Sequence, residues 1–239
     1  MNAKYEALLK ELNPHLQNHP SYMPHIGDGY DAVPIKIMIV AESHYLPKYL
    51  DDKITVEDWY DNPQSVYIKF ENSYDKGWIN TQGVINHYRK EQKNGALVLF
   101  ANLEKAYAEA YPGKLLFDEC IFLNYFQRPA ERRGESIRIS KRDSEVALQN
   151  LLTLIDVAKP NKIIFVSSKA HKDFQAASLD KGIAKDDLPY VGTVPHAGAS
   201  VWWNKASKKF ALKGGKPVTG RQKFIRIVTP KNVLSTPIL

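Results

Sequence analysis

One cysteine, Cys120, occurs in the 239 residues. A single thiol excludes an internal disulfide, and one thiolate cannot hold a structural zinc or an iron–sulfur cluster. Long apolar runs are also missing: no stretch approaches the ~20 residues that a membrane-spanning helix needs. The opening MNAKYEALLKELNPHL mixes charge with apolar residues at helical spacing and lacks the apolar centre of a secretory signal. These absences set the expectation of a cytoplasmic protein with no membrane partner. No G-x-x-x-x-G-K-[ST] phosphate loop and no G-x-G-x-x-G after a strand is present. A G-x-S-x-G nucleophile elbow is absent as well. Neither His44 nor His196 takes part in an H-x-H, H-x-x-x-H or H-E-x-x-H spacing. The expectation is therefore of no metal and no cofactor. Internal repeats and low-complexity segments are lacking too.

What is present is ordinary in bulk and uneven in detail. Hydrophobic residues make up 44% and charged residues 25%, proportions that suit a soluble globular chain long enough for a substantial core. The net charge of +7, from 33 Lys and Arg against 26 Asp and Glu, permits nucleic-acid binding without establishing it. The basic residues are clustered. Arg128, Arg132, Arg133, Arg138, Lys141 and Arg142 form one group, and Lys205, Lys208, Lys209, Lys213, Lys216, Arg221 and Lys223 another.

A short amphipathic helix is expected at 3–12, stopped by Asn13–Pro14. HPSYMPHIGDGYDAVP reads as an ordered loop. IKIMIVA follows as a strand buried on both faces. Residues 46–118 carry mostly helical spacing, broken at DNP, DKG and KNG. ECIFLNYF at 119–126 is a second strand, followed by the charged loop QRPAERRGESIRISKR. DSEVALQNLLTLIDVAKP is a helix capped by Asp143 or Ser144 and ended by Pro160. KIIFVSS is a third strand, KAHKDFQAASLDKG a helix, YVGTVPHAGAS a short fourth strand and loop, and KFIRIV at 223–228 one more strand candidate.

Strand–helix alternation with doubly buried strands implies a parallel sheet covered by helices on both faces. In such sheets ligands bind beyond the carboxyl ends of the strands. Those ends here present Glu42-Ser43-His44-Tyr45, then Asn124 with Arg128, then Ser167-Ser168, then His196 with Ser200. Both basic groups emerge near the same edge, and a basic rim around a polar cleft suits a polyanionic substrate. The alternative is two solvated faces with counter-charges nearby. Glu42 has an alternative as a helix cap, Asn124 as a holder of strand-end backbone, and Tyr45 and Trp78 as packing residues.

Three segments taken in order resemble the uracil-DNA glycosylase superfamily: IVAESHY after the first strand, CIFLNYFQRP on the second and VGTVPHAGAS on the fourth. The similarity covers roughly residues 35–45 and 117–200. It implies a three-layer α/β/α sandwich around a four-stranded, mainly parallel sheet in order 2-1-3-4. The expected whole is one domain over 1–239 with a helical insertion at about 46–118. It further implies Glu42 and Ser43 at the water-activating positions, Tyr45 against the pyrimidine C5, Asn124 on the edge of a flipped base and His196 donating to its O2. His44 and Ser200 complete the expected pocket, with Trp78 as the aromatic face. Arg128, Arg132, Arg133, Ser168 and Lys205 are the expected contacts to nucleic acid. Departures from the family pattern are Ala41 for Gly, His44 for Pro, and Ala197-Gly198 within the final motif. Ser43 cannot act as a carboxylate base, which leaves that task to Glu42. Val201 or Trp202 stands where a wedge into the base stack is expected.

The leading expectation is a monomeric DNA glycosylase-like hydrolase that cleaves the N-glycosidic bond of uracil or another damaged base. One alternative is an inactive member of the superfamily that binds nucleic acid or a nucleotide. The other is an unrelated small-molecule hydrolase using Glu42, His44 and His196.

Overall fold

Unbroken apolar runs form the sheet. A computed structural model describes residues 3–91, 97–204, 206, 207, 209 and 215–230. The strands are β1 (His25–Ile26), β2 (Ile37–Ala41), β3 (Cys120–Asn124), β4 (Lys162–Phe165) and β5 (Tyr190–Thr193). They form one mixed, mostly parallel sheet in the order β1-β3-β2-β4-β5. This differs in count and order from the expected four strands, because β1 adds an antiparallel edge beside β3. β1 lies inside the stretch read as a loop, where two residues are too few to give a period. Gly27 marks its end: a Cβ there would stand 2.2 Å from the carbonyl oxygen of Asp118, so only glycine lets the two backbones close.

Alternate residues of the strands feed two separate cores. Met38, Val40, Ile121, Leu123, Ile163 and Phe165 join one cluster. It also takes in Tyr5 and Leu9 of α1 (Ala3–Leu12), Leu16 of α2 (Pro14–Asn18), Leu148 and Leu151 of α9 (Lys141–Ala158) and Phe174 of α10 (Ser168–Asp180). Ile37, Ile39, Cys120, Phe122, Ile164 and Val166 join the other. There they meet Ile85 of α6 (Thr81–Glu91), Leu103 of α7 (Val98–Ala110) and Phe224 of α11 (Gly220–Val228). Helices thus pack on both faces, and each fully buried side chain of this kind is worth roughly 1.5–3 kcal/mol over an exposed one.

Local signals explain most helix ends. At α9 the cap is Ser140, one turn ahead of the expected Asp143 or Ser144. Asp143 instead sits at the third helical position and returns a bond to the Ser140 backbone. The helix closes on Lys159 in the left-handed conformation, φ 47°, just before Pro160. Residues 46–118 carry α3 (Val56–Asp61), α4 (Pro63–Tyr67), α5 (Ser73–Trp78), α6, α7 and α8 (Leu116–Glu119). The break expected at Asp75-Lys76-Gly77 is instead the middle of α5, and Lys93-Asn94-Gly95 lies outside the described residues. KFIRIV is not a strand. It belongs to α11, which opens on a capping box between Thr219 and Gln222 and buries Phe224, Ile225, Ile227 and Val228. A short apolar run has no period of its own to separate strand from helix. No described helix is long and apolar enough to cross a membrane.

Candidate functional site at the carboxyl ends of the strands

The parallel register sets Ala41 beside Asn124. The residues that follow β2 therefore leave the sheet at the level where β3 ends. Glu42 is partly buried, and both of its carboxylate oxygens accept from serines: Ser136 Oγ donates to Oε1, and Ser167 Oγ to Oε2 at 2.8 Å. Ser136 comes from the loop after β3, and Ser167 is the residue that caps α10 after β4.

Asn124 closes β3, is only 7% exposed, and its side-chain amide has no hydrogen bond among the described residues. Its backbone carbonyl accepts from Gln127 Nε2 at 2.7 Å, which shapes the turn beyond the strand. That amide therefore keeps both its donor and its acceptor uncommitted among the described residues.

His196 follows β5. The Gly198 N–H donates to its Nδ1 at 3.1 Å, so the neutral ring carries its proton on Nε2. Desolvation holds the imidazole below its ordinary pKa, and the Glu42 carboxylate pulls it part of the way back. The two groups are thus within electrostatic reach of each other. The loop is pinned from α7, where buried Asn102 donates to the carbonyl of Ala197 at 2.7 Å. The Ala197-Gly198 departure has a local reason: a Cβ at position 198 would press to 3.1 Å on the His196 ring.

Other expected residues are placed differently. His44 is turned into the core, where its Nε2 meets Thr81 Oγ1 at 3.0 Å and its ring stands edge-on to Tyr22 at 5.0 Å. Burial pushes its pKa down to about 4, so it is a neutral packing residue and not a substrate ligand. Ser43 Oγ is buried without a partner among the described residues. Tyr45 is exposed and pairs by its backbone with Ala130. Trp78 is half-buried and meets Tyr74 and His87 edge-on, as a packing residue of the helical segment. Ser200 and Ser168 are exposed. Trp202 cannot be a wedge, because it is fully buried against Phe224; its neighbour Trp203 is the exposed one, with the Arg221 guanidinium over its ring.

Of the expected basic rim, Arg128 is buried, whereas Arg132, Arg133 and Arg138 are exposed and Arg142 is half-buried. Arg128 is 3% exposed and holds Asp143 through Nε at 2.7 Å and a terminal nitrogen at 3.0 Å, with Glu131 at 2.7 Å. No face is left for a phosphate, so a structural ion pair replaces the expected nucleic-acid contact. Arg132 and Arg138 both pair with Asp52, and Arg142 grips Asp61 with two nitrogens. Arg133 is exposed and makes no side-chain ion pair among the described residues. Arg221 pairs with Glu109. Lys205 lies outside the described residues, as do Lys208 and Lys213.

Sequence patterning missed Ser136 and Asn102. Neither carries a motif signal, since each acts across long sequence distance. Among the described residues no group of three or more His, Cys, Asp or Glu is placed to hold a metal ion. An open groove of about 560 Å³ beside Leu152, Pro160, Ile183 and Pro189 lies at the opposite end of the sheet, where the chain enters β4 and β5. The strand ends thus offer a fixed carboxylate, an unpaired amide and a neutral imidazole with one outward N–H. No family model and no curated protein matches the chain, so its functional reading rests on this geometry and on the three motifs.

Proposed function

We propose that the chain is a glycosylase-like hydrolase of the uracil-DNA glycosylase kind, a three-layer α/β/α protein that cleaves the N-glycosidic bond of uracil or another damaged base in DNA. The observation that carries the reading is that Glu42, Asn124 and His196 leave three different strands at one edge of the sheet. Glu42 also acts electrostatically on His196. A base within a duplex must be extruded before its edge can be read. Asn124 has both a donor and an acceptor, which is what discrimination of uracil from cytosine requires.

In the reaction the C1′–N bond breaks and its electron pair leaves on the base. Glu42 stabilises the cationic sugar and orients the water, whose hydroxyl adds to C1′. The water's proton passes to the Glu42 carboxylate and is given up to solvent, from which the departing base anion is protonated. His196 donates a hydrogen bond from Nε2 to the base oxygen where negative charge develops. The protein would act as a monomer, in the cytoplasm, without metal or cofactor.

A second reading has its own observation. The arginines at 132, 138 and 142 are already paired with Asp52 and Asp61, which favours a nucleoside-sized or short single-stranded substrate over a duplex gripped by its backbone. The test is base release from uracil-containing single- and double-stranded oligonucleotides and from deoxyuridine, beside Asn124→Ala and His196→Ala. Release by wild type that falls by about 10²–10³ in His196→Ala supports the glycosidic reading, since that is the size of effect for one donor at a developing oxyanion. Release from deoxyuridine alone selects the second reading, and no release from any substrate overturns both.

A further inference from the structure

Ser167 uses one hydroxyl twice. Its oxygen accepts the backbone N–H of Ala170 at 3.2 Å and so caps α10. The same group lies 2.8 Å from Glu42 Oε2. A hydroxyl has a single proton, and a carboxylate can only accept. The proton of Ser167 is therefore committed to Glu42, while the N–H of Ala170 fills one of the oxygen's acceptor sites. Ser136 meets the other carboxylate oxygen from a different side. Its loop is held down by fully buried Ile137, whose carbonyl accepts from Lys169. Two segments that follow β3 and β4 thus converge on the carboxylate carried by the segment that follows β2.

An unrestrained glutamate loses about 1.5–2 kcal/mol of rotamer freedom when it is fixed, and a reacting group must be held within about 0.5 Å of its working position. We propose that Ser167, assisted by Ser136, is a positioning residue that clamps the Glu42 carboxylate for its work on the substrate. The proposal rests on the glycosidic reading for what Glu42 does, and on the hydrogen bonds alone for the clamp itself. Its consequence is directional: loss of the Ser167 hydroxyl disturbs the chemical step and leaves substrate binding alone, because Asn124 and His196 are untouched.

The test is a double-mutant cycle on base release with Ser167→Gly, Glu42→Gln and the pair, with Ser167→Thr as the conservative control. Glycine is chosen because it is tolerated at a helix cap with little loss; the change then removes the hydroxyl without unravelling α10. The expected result is a kcat reduced about 10-fold or more in Ser167→Gly with KM within about twofold, since small misplacements in a site can cost that much. Ser167→Thr restores most of the rate, and Ser167→Gly has less than a twofold effect when Glu42 is already Gln. An equal loss in both backgrounds, or a change in KM alone, overturns the proposal. If the wild type releases no base, the glycosidic reading fails separately. The clamp is then decided by thermal unfolding of Glu42→Ala, Ser167→Gly and the pair. Losses in Tm that fall short of additivity by about 2 °C or more support it, and additive losses overturn it.

Discussion

Arg128 and His44 show how little a residue's type says about its partner. Both stand beside strand ends, where charge and imidazole invite a functional reading. Arg128 instead holds Asp143, which is fully buried and also accepts from Tyr60 at 2.9 Å. Removing one member of a buried pair leaves the other charge uncompensated, at about 3–5 kcal/mol. Arg128→Met is expected to lower the urea unfolding midpoint by that much stability, whereas Arg133→Ala leaves the midpoint unchanged within about 0.5 kcal/mol. Equal midpoints for the two variants would show that Arg128 is not structural. The placement of Glu42, Asn124 and His196 at or just beyond strand ends is legible in the sequence, most plainly at Glu42, where the apolar run IMIVA stops abruptly. The partners of Arg128 were not legible: burial of Asp143 depends on the packing of α9, which no local pattern announces.

At the scale of elements, α7 and α11 matter to the site more than their distance in sequence from it indicates. α11 packs on α7, and α7 carries Asn102, which pins the His196 loop at the Ala197 carbonyl. Asn102→Ala would leave that fully buried carbonyl unsatisfied, a loss of about 1–3 kcal/mol. Under the glycosidic reading it is also expected to lower the rate of base release about 10-fold, with no further loss once His196 is Ala. Equal effects in both backgrounds would separate Asn102 from His196. The helix α11 was misread as a strand although its capping box, Thr219 with Gln222, is visible in the sequence. A six-residue run rich in β-branched and aromatic residues has no period of its own, and the start signal ahead of it is the better guide. β1 was illegible for the opposite reason, since two residues borrowed by the edge of β3 carry no pattern at all.

For the whole molecule, several buried histidines set the response to acid. The His15 and His19 rings meet at a tilt, with centroids 4.6 Å apart, and His19 lies flat on Trp59 at 4.6 Å. Burial holds the pKa of His15 at about 3, with neighbouring His19 adding to the shift, and burial holds His19 and His44 at about 4. In the unfolded chain each titrates near ~6.5. Between about pH 6.5 and 4 the unfolded state thus binds protons that the folded state refuses, and stability falls as pH falls through that window, by about 1.4 kcal/mol per pH unit for each histidine. Glu104 on α7 has the opposite sign. Desolvation raises its carboxyl to about 7, so the folded state resists its ionisation; stability falls as pH rises from about 4.5 to 7, and the penalty is complete above that. The histidines outnumber it, so a net loss on acidification is expected, and urea midpoints measured from pH 8 to pH 4.5 should record it. His44→Gln, which can still bond Thr81, should flatten the acid slope by about one proton. Glu104→Gln should stabilise the protein at pH 8 and leave it unchanged at pH 4.5. A slope that His44→Gln does not alter would place the acid response elsewhere, in His15 and His19 or in Asp61, whose carboxyl the Arg142 guanidinium holds below its ordinary range.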